Sequence, residues 1–109
     1  MERFGEYIRR LRIEMRLNQT QLAAKIGLDS GGLSKIETGK KDLKEEKLVL
    51  IAEIFGISQE EIKKQYFSEK FAEECFKYKC PDTVFELAEQ KVKYIISVNS
   101  EQSILNFKE

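Results

Sequence analysis

The sequence contains no histidine, no tryptophan, one proline and two cysteines among its 109 residues. Without histidine the chain lacks the commonest general base and the commonest zinc ligand. Cys75 and Cys80 have no second pair to complete a metal site, so buried thiols are the expected state. No glycine-rich segment has the spacing of a phosphate-binding loop. We therefore predict that the protein is not an enzyme and that it carries no metal and no cofactor.

Long apolar runs are also missing. The longest, Leu48 to Ala52, is far shorter than a membrane span. Met1-Glu2-Arg3 leads directly into an amphipathic pattern rather than into a signal peptide. Two cysteines fit a reducing compartment better than a disulfide framework. We expect a cytoplasmic protein.

Net charge is absent overall, but the charges are unevenly distributed. Residues 1–41 hold nine Lys or Arg against five Asp or Glu, whereas residues 42–109 hold ten against fourteen. The N-terminal part is therefore at +4 and the remainder at −4. An excess of positive charge suits a surface that binds phosphate, although a solvated mixed surface would also produce it.

Residues 18–39 predict two short helices joined by a tight turn. Asn18 can cap the first helix, and Gln21 completes a capping box. Gly27 can end that helix in a left-handed conformation, and Asp29 can cap the second. The inward positions follow at helical spacing: Leu22, Ala23, Ile26, Leu33 and Ile36. Two helices this short need neighbours, and the pattern is that of a helix-turn-helix, whose second helix lies in the DNA major groove.

The same stretch resembles the lambda-repressor-like, or XRE-type, helix-turn-helix family. Gln19 opens the first helix of the pair, Ala23 and Gly27 follow, and Ile36-Glu37-x-Gly39 ends the second. The likeness covers roughly Phe4 to Phe67 and implies an all-α fold with a five-helix DNA-binding domain. The overall layout also resembles small XRE-type regulators found beside restriction-modification genes.

The expected architecture has three parts. The helix-turn-helix domain occupies residues 2–67, with the helix pair at about 19–26 and 30–37. Residues 68–96 form a helical hairpin, and residues 97–109 form a polar tail for which disorder is one expectation. Within the domain, the first helix presents an apolar face of Phe4, Ile8, Leu11 and Met15, widened by Tyr7. Two further capping boxes, Asp42 with Glu45 and Ser58 with Glu61, predict the starts of the fourth and fifth helices.

Candidate DNA contacts follow from the motif. Base contacts are expected from the second helix of the pair, namely Ser30, Gly31, Ser34 and Lys35. Lys35 can donate to guanine or contact phosphate only. Backbone contacts, which position the protein without reading sequence, are expected from Asn18, Gln19, Thr38, Lys40 and Lys41. Gly31 and Gly32 either allow the backbone to approach DNA closely or lie before a late helix start.

The family resemblance also implies a structural ion pair. In the family, an arginine at the place of Arg12 pairs with the glutamate that ends the recognition helix, here Glu37. If the pair is partly buried, losing either partner is costly. The alternative is that Arg12 is an ordinary surface residue.

The hairpin carries more apolar residues than an exposed tail should. It either packs on its own domain or meets a second copy. We therefore expect a sequence-specific regulator of transcription that binds double-stranded DNA as a homodimer and controls its own gene or an adjacent one. The alternatives are an antitoxin-type protein, or an interaction module that binds a partner protein through residues 68–96.

Overall fold

The computed structural model describes the backbone of residues 1–107 and the side chains of residues 1–100. These residues form six α-helices and no strand, which confirms the all-α prediction. The helices are α1 (Phe4–Glu14), α2 (Gln19–Lys25), α3 (Ser30–Glu37), α4 (Glu45–Phe55), α5 (Gln59–Lys77) and α6 (Thr83–Phe107). The chain divides into two compact units, Met1–Glu73 and Glu74–Glu109, so the boundary falls inside α5.

The apolar face predicted for the first helix is correct except at its end. Phe4, Tyr7 and Ile8 are buried, whereas Met15 is exposed because the helix ends at Glu14. The buried position in the last turn of α1 is taken by Arg12 instead. A charged side chain therefore occupies a place that helical periodicity alone would assign to an apolar residue.

The core of the first unit is built from all five of its helices. α3 packs against both α2 and α1. Phe4 meets Tyr66 edge to face, with ring centroids 4.9 Å apart, and the Tyr66 hydroxyl accepts a hydrogen bond of 2.9 Å from the Leu43 amide. The buried cluster comprises Phe4, Tyr7, Ile8, Leu22, Ala23, Ile26, Leu33, Leu48, Ile51, Ala52, Ile62 and Tyr66.

Of the two further capping boxes predicted, one is absent and the other is half formed. α4 begins at Glu45 after Lys44, whose side chain makes no capping hydrogen bond, while Asp42 pairs with Lys70. The predicted box with Asp42 as its cap is therefore wrong, because Asp42 instead forms an ion pair with Lys70 on α5. At α5 the Ser58 hydroxyl accepts from the Glu61 amide at 3.0 Å, but the Glu61 carboxylate bonds to Lys64 and Gln65.

α5 is longer than predicted. The sequence analysis placed a boundary at Phe67, yet one helix runs from Gln59 to Lys77, since no glycine or proline interrupts it. Glu69 lies beyond the predicted boundary and still belongs to the first unit. Its carboxylate accepts hydrogen bonds from the Phe4 amide at 2.8 Å and from the Arg3 side chain at 2.7 Å. A residue in the middle of α5 thus caps the start of α1.

In the second unit a turn follows Lys77, and the chain then enters α6. The Cys80 amide donates to the Cys75 carbonyl at 3.0 Å, with Lys79 in a left-handed conformation at φ 52°. α6 continues to Phe107, so the chain is helical up to that residue where a tail was expected from residue 97. No helix-breaking glycine or proline occurs after Pro81, which explains the continuation. Residues 108–109 of the predicted tail lie outside the described residues.

Candidate nucleic-acid interface

The ends of α2 and α3 are fixed by local hydrogen bonds. The Asn18 side chain accepts from the Gln21 amide at 2.8 Å, and the Gln21 side chain accepts from the Asn18 amide at 2.8 Å. Asp29 accepts from the Gly32 amide at 2.6 Å. These bonds confirm the predicted cap of each helix and define the two N-termini of the motif.

The turn between the helices depends on Gly27. This residue has φ 72°, and the next amide, that of Leu28, donates to the Ala23 carbonyl at 2.8 Å. Such a left-handed residue closes a helix and turns the chain sharply. The Lys47 ammonium, on α4, donates to the Ile26 carbonyl at 2.6 Å and so satisfies the exposed end of α2 from outside. No short-range signal in the sequence pointed to Lys47, because the bond spans 21 residues.

Arg12 and Glu37 form the ion pair that the family resemblance implies. The Arg12 Nε lies 2.8 Å from Glu37 Oε2, and its Nη2 lies 3.0 Å from Glu37 Oε1. The third guanidinium nitrogen, Nη1, donates to the Leu17 carbonyl at 3.0 Å. The two side chains are only 10% and 3% exposed, so the pair is bidentate and shielded from water. Arg12 is therefore not an ordinary surface residue.

The hydrogen bonds to Glu37 raise the pKa of Arg12 above its ordinary value, against the partial burial that would lower it. Because an unperturbed arginine already titrates far above neutrality, a raised pKa keeps the guanidinium charged across the whole working range of pH. Titration of Arg12 therefore does not make the packing of α1 on α3 depend on pH in that range.

Gln19 joins the same network. Its side-chain amide donates to Glu37 Oε1 at 3.2 Å, which links the start of α2 to the end of α3. From its sequence position Gln19 was expected only to contact phosphate, and the observed bond adds a structural role. Glu37 consequently holds α1, α2 and α3 in one arrangement.

Gly5 allows α1 to lie against the end of α3. A Cβ placed at Gly5 would come within 2.3 Å of the Glu37 carbonyl oxygen and 2.6 Å of the Ile36 carbonyl oxygen. No side chain fits there without moving the backbone. Gly5 could not be identified from the sequence, because a glycine inside a helical pattern does not indicate which segment approaches it.

α3 has a buried face and an exposed face. Leu33, Ile36 and Glu37 are buried, whereas Ser30, Gly31 and Lys35 are exposed and Ser34 is half-buried. Two of the predicted base-contact residues thus lie in the first turn and two in the following turn of one helix. The outer surface of α3 therefore carries few polar side-chain groups, namely the hydroxyls of Ser30 and Ser34 and the ammonium of Lys35.

Gly31 and Gly32 lie inside α3 rather than before it. The helix begins at Ser30, so the late start considered above is wrong. The Asp29 cap explains the early start, since its bond to the Gly32 amide closes the first turn around both glycines. At Gly31 a Cβ would meet only Asp29 Oδ1, at an ordinary 3.6 Å. Packing within the protein therefore does not require glycine at position 31.

The five predicted backbone-contact residues flank α2 and α3. Asn18 and Gln19 lie at the start of α2, and Thr38, Lys40 and Lys41 follow α3. The Thr38 hydroxyl donates to the Ser34 carbonyl at 2.9 Å, so in this conformation it serves the helix end. Gly39 has φ 78° and directs the chain so that the Lys40 amide donates back to Lys35, at 2.7 Å. Lys40 and Lys41 are exposed.

The described residues contain no group of three or more metal-ligating side chains. Cys75 and Cys80 are free, half-buried thiols. Burial raises the pKa of Cys75, which favours the neutral thiol over the thiolate that binds metals. Within the same residues no helix is long and apolar enough to cross a membrane.

Comparison with known proteins agrees with this geometry. The helix-turn-helix family model matches residues 8–62, which include all of α2, α3 and α4. Over 41 residues the chain is 49% identical to the HTH-type transcriptional repressor RghR of Bacillus subtilis (strain 168), covering 38% of this chain and 30% of the repressor. The chain thus spans less than a third of that relative's length. No solved structure matches it significantly. The capped helix pair, the buried Arg12–Glu37 pair and the family match together place the chain in the XRE-type helix-turn-helix family.

Proposed function

We propose that this protein is a sequence-specific double-stranded-DNA-binding regulator of transcription that acts as a homodimer in the cytoplasm. It would control its own gene or an adjacent one. The observation that carries the proposal is the division of α3 into a face locked to the protein by Glu37 and an exposed face bearing Ser30, Gly31 and Lys35. A helix held in this way can enter a major groove without losing its own support.

The proposed contacts divide into two kinds. Lys40 and Lys41 would neutralise phosphates, together with Asn18 and Gln19 at the start of α2. Lys35 would donate to a base edge, guanine being the common partner of a basic side chain in the major groove. The engaged Thr38 hydroxyl makes that residue the weakest of the phosphate candidates.

Gly31 supports close approach of the backbone. Each glycine in a helix costs about 1 kcal/mol relative to alanine, and no neighbouring atom in the protein requires this one. At an exposed glycine the helix backbone can come closer to DNA than at a residue that carries a side chain. We therefore assign Gly31 to contact with the base pairs or sugars under the first turn of α3.

The first experiment selects operators from a random pool of DNA duplexes and then measures affinity as a function of salt. Phosphate contacts make the affinity fall steeply as salt rises. Lys40→Ala should weaken binding to all sequences alike and reduce the salt slope by about one. Lys64→Ala is the charge-matched control, because Lys64 already pairs with Glu61 on α5. Affinity that does not change with salt would contradict the proposed docking face.

A second variant tests base reading. Lys35→Ala should cost about 1–3 kcal/mol on the selected site and relax the preference at one position per half-site. Lys40→Ala serves as the comparison, since it should lower affinity for selected and random duplexes equally. An equal loss for Lys35→Ala on both kinds of DNA would reduce Lys35 to a phosphate contact.

The second candidate function is an antitoxin-type or protein-interaction module that binds a partner through residues 68–96. The exposed apolar side chains of α6 favour it. The selection distinguishes the two: if no duplex is enriched over the starting pool, DNA binding fails and the interaction module remains.

A further inference from the structure

α6 exposes an unusual number of large apolar side chains. Leu87, Val92, Tyr94, Ile95 and Ile96 are between 49% and 68% exposed. Single exposed apolar residues are normal on a protein surface, but a group of this size on one helix marks an interaction site.

The side chains occupy one broad side of the helix. At about 100° per residue, the apolar positions of residues 84–98 cover an arc of roughly 200°. Val84, Ala88 and Val98 lie near its centre and are half-buried, whereas Ile95, which also lies near the centre, and the large residues on both sides are exposed. The remaining arc is polar and contains Glu86, Glu89, Gln90, Lys93 and Ser97. A helix with an apolar arc this wide is suited to two neighbours rather than one.

The exposed area is sufficient for a dimer. Five large side chains that are about half exposed present on the order of 500 Å² of apolar surface. A standard interface buries about 800 Å² on each partner, of which about three-fifths is apolar. This apolar area matches what one side of such an interface needs when the partner copy covers both sides of the apolar arc of α6.

The charges of α6 favour a second copy over a strongly charged partner. Between Thr83 and Ser100 the helix has two acidic residues, Glu86 and Glu89, and two basic ones, Lys91 and Lys93. Glu89 and Lys93 already pair with each other at 3.0 Å. A surface with no net charge does not repel its own copy, and it has no excess charge for an acidic or basic ligand to neutralise.

Two polar residues, Lys91 and Asn99, fall within the apolar arc. A polar residue in an otherwise apolar helix seam lowers stability but restricts the register and the number of chains. This feature fits a defined pair of identical helices better than a general hydrophobic surface.

We propose that α6 is the surface through which two copies of this chain associate, with Val92 and Ile95 at the contact. The inference rests on the proposed function, because one helix-turn-helix reads too few base pairs and needs a twofold partner. A twofold interface uses the same patch on both copies, so a single helix supplies both halves.

The test uses the full chain in sedimentation velocity over a wide range of protein concentration. The unaltered chain should be dimeric, and the double variant Val92→Lys with Ile95→Lys should be monomeric. The matched control is Gln90→Lys with Ser97→Lys, which adds the same charge to the polar arc and should remain dimeric. Circular dichroism of both variants checks that the helix content is retained.

DNA binding separates failure of this inference from failure of the proposed function. The apolar-arc variant should bind a single half-site as the unaltered chain does, and should lose at least about tenfold in affinity on two half-sites. A monomeric unaltered chain that binds duplex DNA would overturn the inference and leave the proposed regulator. A dimeric apolar-arc variant would also overturn it and move the interface away from α6. A dimer that enriches no duplex would retain the α6 interface and reject the DNA function.

Discussion

In the unit Met1–Glu73 most large apolar side chains are buried or half-buried by that unit's own helices, whereas in the unit Glu74–Glu109 most of those described are exposed. Ile8, Leu22 and Ile51 are completely buried, while Val92 and Ile95 are more than half exposed. These residues have similar hydrophobicity, so composition does not explain the difference. The first unit supplies the neighbours that bury its own apolar residues, and we propose that a second copy of the chain buries those of the second unit.

This difference between the units predicts that variants in them will depend differently on protein concentration. A change inside the first unit removes contacts within one chain, so its effect on the free energy of unfolding should not depend on protein concentration. In the proposed dimer, a change on the apolar arc of α6 would remove contacts between chains, so its effect should grow with concentration. The following predictions compare the two units, beginning with the largest expected effect.

Arg12→Ala and Glu37→Ala should each lower the free energy of unfolding by about 3–5 kcal/mol, because each leaves a buried charge without its partner. The loss should be the same at low and high protein concentration. Urea unfolding followed by circular dichroism measures it.

The double variant sharpens this prediction. It should lose less than the sum of the single losses, with a coupling of about 1 kcal/mol or more, because the two residues act as one unit. Strict additivity would mean that Arg12 and Glu37 stabilise the first unit independently, in contradiction to the bidentate contact.

Gly5→Ala should lower the free energy of unfolding by about 1–3 kcal/mol or more, since the new methyl group overlaps the Glu37 carbonyl oxygen. Gly31→Ala is the matched control in another helix of the same unit. Its new methyl group makes only an ordinary contact with Asp29 Oδ1, at 3.6 Å, and should leave stability unchanged or raise it by up to about 1 kcal/mol. If Gly5→Ala and Gly31→Ala changed the free energy of unfolding equally, close packing of α1 on α3 would not be the reason for a glycine at position 5. Gly31→Ala should instead weaken DNA binding.

The smallest effect is expected from a matched pair of glutamates, one in each unit. Glu69→Gln should cost about 1–2 kcal/mol, because the Glu69 carboxylate is only 15% exposed and accepts the Phe4 amide of α1. Glu89→Gln changes only an exposed pair with Lys93 and should stay within about 0.5 kcal/mol. Thermal unfolding measures the loss of stability in both variants. A larger loss for Glu89→Gln than for Glu69→Gln would contradict the prediction that the glutamate of the first unit matters more.

The contacts of Glu69 also affect which truncated fragment of the chain is the more stable. A truncation after Phe67, at the boundary predicted from sequence, would remove both Glu69 and Lys70 from the first unit. We expect that fragment to be less stable than one ending at Glu73, where the compact unit ends. Comparing the two fragments by urea unfolding measures the difference.

Short-range features of the first unit were predictable from sequence. The Asn18–Gln21 capping box, the Asp29 cap and the Gly27 turn all formed as expected. The Arg12–Glu37 pair was obtained from the family resemblance, because no local rule connects residues 25 positions apart. The DNA contacts themselves remain predictions.

Predictions failed where a distant residue competed for a local partner or where no signal marked a helix end. Asp42 was expected to cap α4 and instead pairs with Lys70 on α5. The boundary at Phe67 and the tail from residue 97 were placed by changes in apolar pattern, yet a helix continues through both. A change of pattern alters what a helix contacts, but only a capping or breaking residue ends it.

The sequence by itself determined the helices and caps of the motif, because these depend on atoms three to five residues apart and each residue type carries its preference locally. Only the tertiary structure decided that Gly5 must be small, that Glu37 joins three helices and that Glu69 caps α1. Those properties depend on which segments meet in space, and the amino-acid types of Gly5 and Glu69 do not indicate their partners. The same holds for α6, where only the tertiary structure showed that Leu87, Val92, Tyr94, Ile95 and Ile96 are exposed.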